Sequence, residues 1–116
     1  MTLLARVIEE RHGDVLVAAV EGEVDASNTE EIADRLRSGV SNRTMSLIVD
    51  LSETSYLDSA GINLLFALAG ALRERQQRLL LVVPPGAHIA RAISITGLDT
   101  TVPTHPDREA ALAAAS

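Results

Sequence analysis

The chain has 116 residues, 47% of them hydrophobic and none of them cysteine, with a formal net charge of −6 at pH 7. This length suits one domain, residues 1–116, with a core that needs no staples, and the missing thiols exclude disulfides, thiolate metal sites and cysteine nucleophiles. The acidic balance, with Tyr56 and Phe66 as the only aromatics, argues against a nucleic-acid binder, which needs cations and stacking platforms.

Residues 3–10 and 15–20 read as two short strands flanking Arg11-His12-Gly13-Asp14, where Gly13 can supply the positive φ of a hairpin turn. After Glu21-Gly22-Glu23-Val24-Asp25 comes Ser27-Asn28-Thr29-Glu30, which has the Ser-x-x-Glu pattern of a capping box. It opens a helix through Ile32, Ala33, Leu36 and Val40, with Gly39 as its stop. Residues 45–51 contain Leu47-Ile48-Val49, an unbroken apolar run suited to a strand covered on both faces. A second such run, 79–83, ends at Pro84-Pro85-Gly86. Between them, a polar loop leads into residues 62–72, too long and too apolar for a strand and therefore a helix. A third helix covers 87–96 and stops at Gly97, 100–102 forms an edge strand ended by Pro103, and 107–114 forms an alanine-rich terminal helix. Strands alternating with helices require parallel crossovers. The expected fold is α/β: a mixed β-sheet, an N-terminal hairpin plus parallel strands, packed with about four α-helices.

Little in the chain points to catalysis. His12, His88 and His105 are scattered without ligand spacing, so no metal is expected, and no cofactor motif occurs. All ten cations are arginine, which excludes a P-loop. Carboxylate pairs such as Glu9/Glu10 and Glu30/Glu31 suit solvated faces. Residues 1–10 lack a signal-peptide core, and the longest apolar stretch, 64–71, falls far short of the roughly 20 residues that span a bilayer. A soluble cytoplasmic protein with no membrane and no nucleic-acid partner is the expectation.

The informative segment is Leu57-Asp58-Ser59-Ala60-Gly61. A strand-to-helix turn with serine at its tip resembles a nucleophile elbow, but the glycine two residues before the serine is missing. A serine hydrolase would also need His88 or His105, and is the weaker alternative. Asp58 or Ser59 can cap the helix, and neither has Glu or Gln three residues on. Gly61 costs about 1 kcal/mol of helix propensity relative to alanine and leaves a bare helix start that another molecule can approach. Ile62, Leu65, Phe66, Ala69 and Leu72 form one apolar stripe suited to the sheet. Leu64, Ala67, Leu68 and Ala71 form a second, roughly opposite, expected as an exposed docking surface unless a neighbouring helix covers it. A phosphate on Ser59 would add about −1.5 to −2 charge, be received by the free N–H groups and dipole of the helix start, and weaken a partner pressed against it. A loss of about 4 kcal/mol is a thousandfold in affinity.

Gly22-Glu23-Val24-Asp25, Asp50-Leu51-Ser52, Tyr56-Leu57-Asp58-Ser59-Ala60-Gly61-Ile62 and Thr96-Gly97-Leu98 resemble, in order and spacing, the STAS domain of bacterial anti-sigma factor antagonists. The resemblance implies a protein that is not an enzyme. Its unphosphorylated form binds an anti-sigma factor, itself an ATP-dependent serine kinase, and frees a sigma factor. Phosphorylation of the serine after the aspartate, here Ser59, switches it off, and a PP2C-type phosphatase restores it. Asp25 matches the family aspartate near the phosphoacceptor, and Asp58 the one preceding it. The partner-binding residues implied are Glu23, Asp25, Ser27, Asn28, Asp58, Ser59, Ala60, Gly61 and Asn63, and the second apolar stripe of the helix adds Leu64 and Leu68 to the expected surface. Many members carry Ser or Thr where this chain has Ala60, which leaves Ser59 as the one hydroxyl at the helix start. A STAS scaffold or adaptor whose binding ignores phosphate is the alternative, and self-association as a weak homodimer is left open.

Overall fold

Alternation along the strands sorts the apolar side chains onto two faces of one sheet. Leu16, Ala18 and Val20, Leu47 and Val49, and Leu79 and Leu81 join one buried cluster. Val15 and Val17, Ile48, and Leu80 and Val82 join the other. This period of two is what a central strand buried on both sides produces.

The computed structural model describes residues 4–115. In chain order its elements are β1 (Ala5–His12), β2 (Val15–Val24), α1 (Thr29–Gly39), β3 (Ser46–Asp50), β4 (Thr54–Leu57), α2 (Ser59–Glu74), β5 (Arg78–Val82), α3 (His88–Ile95), α4 (Leu98–Thr101), β6 (Thr104–His105) and α5 (Arg108–Ala115). Leu3, expected at the start of the first strand, lies outside the described residues. The sheet order is β1-β2-β3-β5-β6, with β4 also paired to β2. The β1–β2 hairpin is antiparallel and turns at Gly13, where φ is +63°. All other pairings are parallel. Helices α1 to α4 contribute Ile32, Leu36, Leu65, Ile89 and Leu98 to one cluster, while α5 covers the opposite face through Ala111. The mixed α/β sheet expected from the sequence is the one observed.

Several details differ from the expectations. Strand β2 runs on to Val24 rather than ending at Val20, because its far end pairs with β4. The loop after β3 contains β4, pinned by Thr54 Oγ1 donating to Val20 O at 2.6 Å and by Gly22 N–H donating to Glu53 O at 3.0 Å. The segment expected as an edge strand, 100–102, belongs mostly to α4: Gly97 at φ +78° reverses the chain into a new turn, and Val102 N–H donates to Leu98 O at 2.8 Å. Pro103 precedes the edge strand instead of ending it, its carbonyl accepting from Leu81 N–H at 2.9 Å. With α4 included, the helices among the described residues are five rather than four.

Candidate functional site

The ends of two neighbouring parallel strands bring the sequence-selected residues together. Val24 pairs with Leu57, and Asp58 N–H donates to Val24 O at 3.2 Å. The next residues along each chain, Asp25 on one and Asp58-Ser59 on the other, therefore emerge side by side from the same edge of the sheet. Between Gly22 and Glu23 the pairing slips by one residue, and Gly22 takes φ +110°. A Cβ at Gly22 would lie 2.2 Å from Leu4 O, so a side chain there is excluded twice over.

The loop after β2 spends its polar groups on itself. The Ser27 N–H donates to Asp25 Oδ1 at 2.8 Å, and the Ser27 hydroxyl donates to the same oxygen. Asn28 Oδ1 accepts from Asp25 N–H at 3.0 Å, while Asn28 Nδ2 donates to Glu23 O at 2.8 Å. This is an Asx-type turn. The expected capping box is therefore not formed: the residue at the N-cap of α1 is Asn28, without a side-chain cap bond, and the Ser27 hydroxyl is committed to Asp25. The two Ser27 hydrogen bonds, the hydroxyl's first, hold the Asp25 carboxyl below its ordinary range. Asp25 is thus a fixed anion at neutral pH.

At α2 the two possible caps resolve. Asp58 is the N-cap, its Oδ1 accepting from Ala60 N–H at 2.9 Å and from Gly61 N–H at 3.1 Å. Ser59 is the first helical residue, exposed, and its hydroxyl has no hydrogen-bond partner among the described residues. The expectation of free amides waiting for a phosphate is overturned at Ala60 and Gly61, since Asp58 already occupies both. Neither His88 nor His105 hydrogen-bonds Ser59; His88 opens α3 and His105 sits on β6.

Gly61 is buried, not a bare approach for a partner. A Cβ there would stand 2.4 Å from Leu57 Cδ1 and 3.0 Å from Val24 Cγ1, so the missing side chain makes room for the fold's own packing. Leu68, expected on the surface, is 3% exposed. Helix α2 is flanked by α1 and α4 as well as by the sheet, and these neighbours cover more than one stripe of it. Of the second stripe, Ala67 and Ala71 remain exposed and Leu64 is half-buried. Glu23 and Asn63 are exposed, and Ala60 is half-buried.

Sequence reasoning missed the other wall of this surface. Thr29, Glu30, Ala33 and Arg37 of α1 face Ala60, Asn63, Leu64 and Ala67 of α2 across a groove of about 270 Å³. The signal was present as the i, i+4, i+8 spacing of Thr29, Ala33 and Arg37, a small and polar stripe beside the apolar Ile32 and Leu36. Tyr56, placed in a loop by the sequence reading, lies on β4 opposite Glu23 and is 51% exposed.

Residues 6–111 match the family model for the STAS domain. The chain belongs to the STAS family. Among its relatives, BtrV of Bordetella bronchiseptica, named as a candidate anti-sigma factor antagonist, is 31% identical over 86% of this chain and 85% of its own. The anti-sigma-B factor antagonist of Listeria monocytogenes is 32% identical over 82% of both chains. The crystal structure of an anti-sigma factor antagonist from Mycobacterium paratuberculosis superposes with a TM-score of 0.86 at 30% identity, covering 96% of this STAS chain and 93% of that one. Among the described residues, no helix is long and apolar enough to cross a membrane.

Proposed function

We propose that this STAS protein is an anti-sigma factor antagonist whose docking to a serine-kinase anti-sigma factor is switched off by phosphorylation of Ser59. The observation that carries the reading is the state of Ser59: an exposed, unpartnered hydroxyl on a helix start whose amides Asp58 already caps. The relatives' names supply the partner class. A dianion on Ser59 finds the amides of Ala60 and Gly61 already taken by the Asp58 carboxyl, on a surface it shares with the Asp25 turn. It stays outside the helix, where a docked partner would have to desolvate it. The anti-sigma factor would contact the 25–28 loop, the first turn of α2 and the α1–α2 groove; a PP2C-type phosphatase would restore binding. The protein itself acts as substrate and ligand rather than as an enzyme.

Incubation with ATP and the serine-kinase anti-sigma factors of the same organism tests this by intact mass. One added phosphate is expected, absent in Ser59→Ala. Calorimetric titration of the same partner should give parental affinity for Ser59→Ala and a loss of about 100-fold to 1,000-fold for Ser59→Asp. Equal binding by both variants, with no phosphate gained, would identify a phosphorylation-independent scaffold instead.

A further inference from the structure

Strand β1 ends the sheet on one side, and its outer edge is open. Across the hairpin, Leu4 O accepts from Glu23 N–H at 2.8 Å. In an antiparallel ladder the residues that bond across alternate with residues that bond outward. Ala5, Val7, Glu9 and Arg11 therefore turn their N–H and C=O groups away from β2. Val7 O accepts from Arg35 Nη2 at 3.2 Å, in agreement with that alternation, and the other outward groups have no hydrogen-bond partner among the described residues. Arg6, Ile8 and Glu10 share the opposite face from Val7, the one on which Arg108 reaches Glu10. Helix α5 lies over β3, β5 and β6, away from Ile8, which is 45% exposed. An edge of this kind is a template for another strand.

Charges on an edge strand ordinarily oppose pairing, but those of β1 are self-complementary in one register. We propose that two copies of this chain join β1 to β1, antiparallel, about a two-fold axis through Ile8. Ladder hydrogen bonds then link Val7 to Glu9 and Ala5 to Arg11 of the second copy, all of them outward-facing residues. The two Ile8 side chains meet in a non-hydrogen-bonded pair, with Cβ atoms about 5 Å apart. Arg6 of each copy stands opposite Glu10 of the other. This joins the Arg6–Glu21 pair (2.8 Å) and the Arg108–Glu10 pair (3.3 Å) into one row of alternating charge. On the other face Arg35, 4.0 Å from its own Glu9, exchanges Val7 O for the Glu9 carboxylate of the second copy. An axis through Glu9 would set two carboxylates face to face, and one through Val7 would set Ile8 against Arg6 and shorten the ladder. The contact is one strand wide, so the dimer is weak. It is independent of the Ser59 reading: the flank of α1 that carries Arg35 is not the one that faces α2.

Sedimentation velocity of the full chain between about 10 µM and about 1 mM tests it, with a monomer–dimer Kd of about 100 µM expected. Ile8→Lys sets two ammonium groups across the axis and should raise that Kd more than about tenfold, with an unchanged melting temperature because Ile8 lies outside the core. The chain has no cysteine, so single-cysteine variants read the register. Under mild oxidation Ile8→Cys should give a covalent dimer, whereas Glu10→Cys, about 13 Å from its symmetry mate, should not. A monomer at about 1 mM, association that survives Ile8→Lys, or equal cross-linking of the two cysteine variants would overturn the assignment.

Discussion

The two faces of the sheet are built on different principles. On the side of α1 to α4, fully buried leucines from helix and strand (Leu36, Leu47, Leu51, Leu81 and Leu98) interlock in one continuous cluster. On the other side, α5 lays a short alanine-rich surface, centred on Ala111, over Val15, Val17, Ile48, Leu80 and Val82. That helix is tied down by charge: Arg108 Nε and Nη2 donate to Asp50 Oδ2 at 3.1 and 2.8 Å, and Arg108 Nη1 reaches Glu10 Oε2 at 3.3 Å. The side that carries Ser59 is redundant and apolar, whereas the rear is thin and electrostatic. Under the proposed switch a charge added at Ser59 should leave the former intact, and pH and salt should act first on the latter.

The contrast can be broken at Leu68, where the largest effect is expected. Leu68→Asp places a carboxylate in the dense cluster and should cost about 4 kcal/mol in a urea titration. Stability close to the parent's would mean that this face of α2 is not core. Gly61→Ala should cost about 1 kcal/mol net, since the crowding against Leu57 and Val24 exceeds the gain in helix propensity. A stabilised variant would show slack at the base of the Ser59 turn.

Arg108→Ala sharpens the comparison at the rear. Arg108 is 40% exposed, so water screens the pair, and a loss of about 1 kcal/mol is expected. Hydrogen exchange should show that loss confined to α5; faster exchange in α2 would mean that the two faces are not separable. The same variant changes the acid response. Burial works to raise the Asp50 carboxyl, but the Ser52 hydroxyl and N–H and the Arg108 guanidinium outweigh it, holding the group below the ordinary carboxylate range. This stabilisation is complete above the unfolded value of about 3.9 and is lost as pH falls through the lower folded value. Without Arg108 part of the lowering vanishes while burial remains, so the acid loss should be smaller and complete at a higher pH than in the parent.

How legible these features are in the sequence depends on how local their causes are. Strands β3 and β5 announce themselves because a strand covered twice must be apolar without interruption. The short β4 does not, since Ser55 and Tyr56 are exposed and its pairing with β2 is set by a partner some thirty residues away. That Asp58-Ser59 opens α2 could be read from the apolar helical run that follows, whereas which of the two caps it is settled only by the Asp58 carboxyl accepting from Ala60 and Gly61. What Ser27 does could not be read: its spacing satisfies a capping pattern, and only the folded loop shows the Asp25 carboxylate taking its hydroxyl. Leu68 and Gly61 were misjudged for one reason. A helical wheel shows which faces are apolar or bare, not which neighbours fill them: the helices flanking α2 and the sheet for one, Leu57 and Val24 for the other.

Strand β2 has a consequence for how recognition can diversify in this protein. Both the aspartate turn and the serine turn hang from its last residues, one covalently and the other through Val24 O. Deleting or inserting a residue there would reverse every outward side chain beyond it and pull one turn out of step with the other. New specificities must therefore arise by exchanging side chains on a frame of constant length, as teeth are recut on a key whose blank never changes.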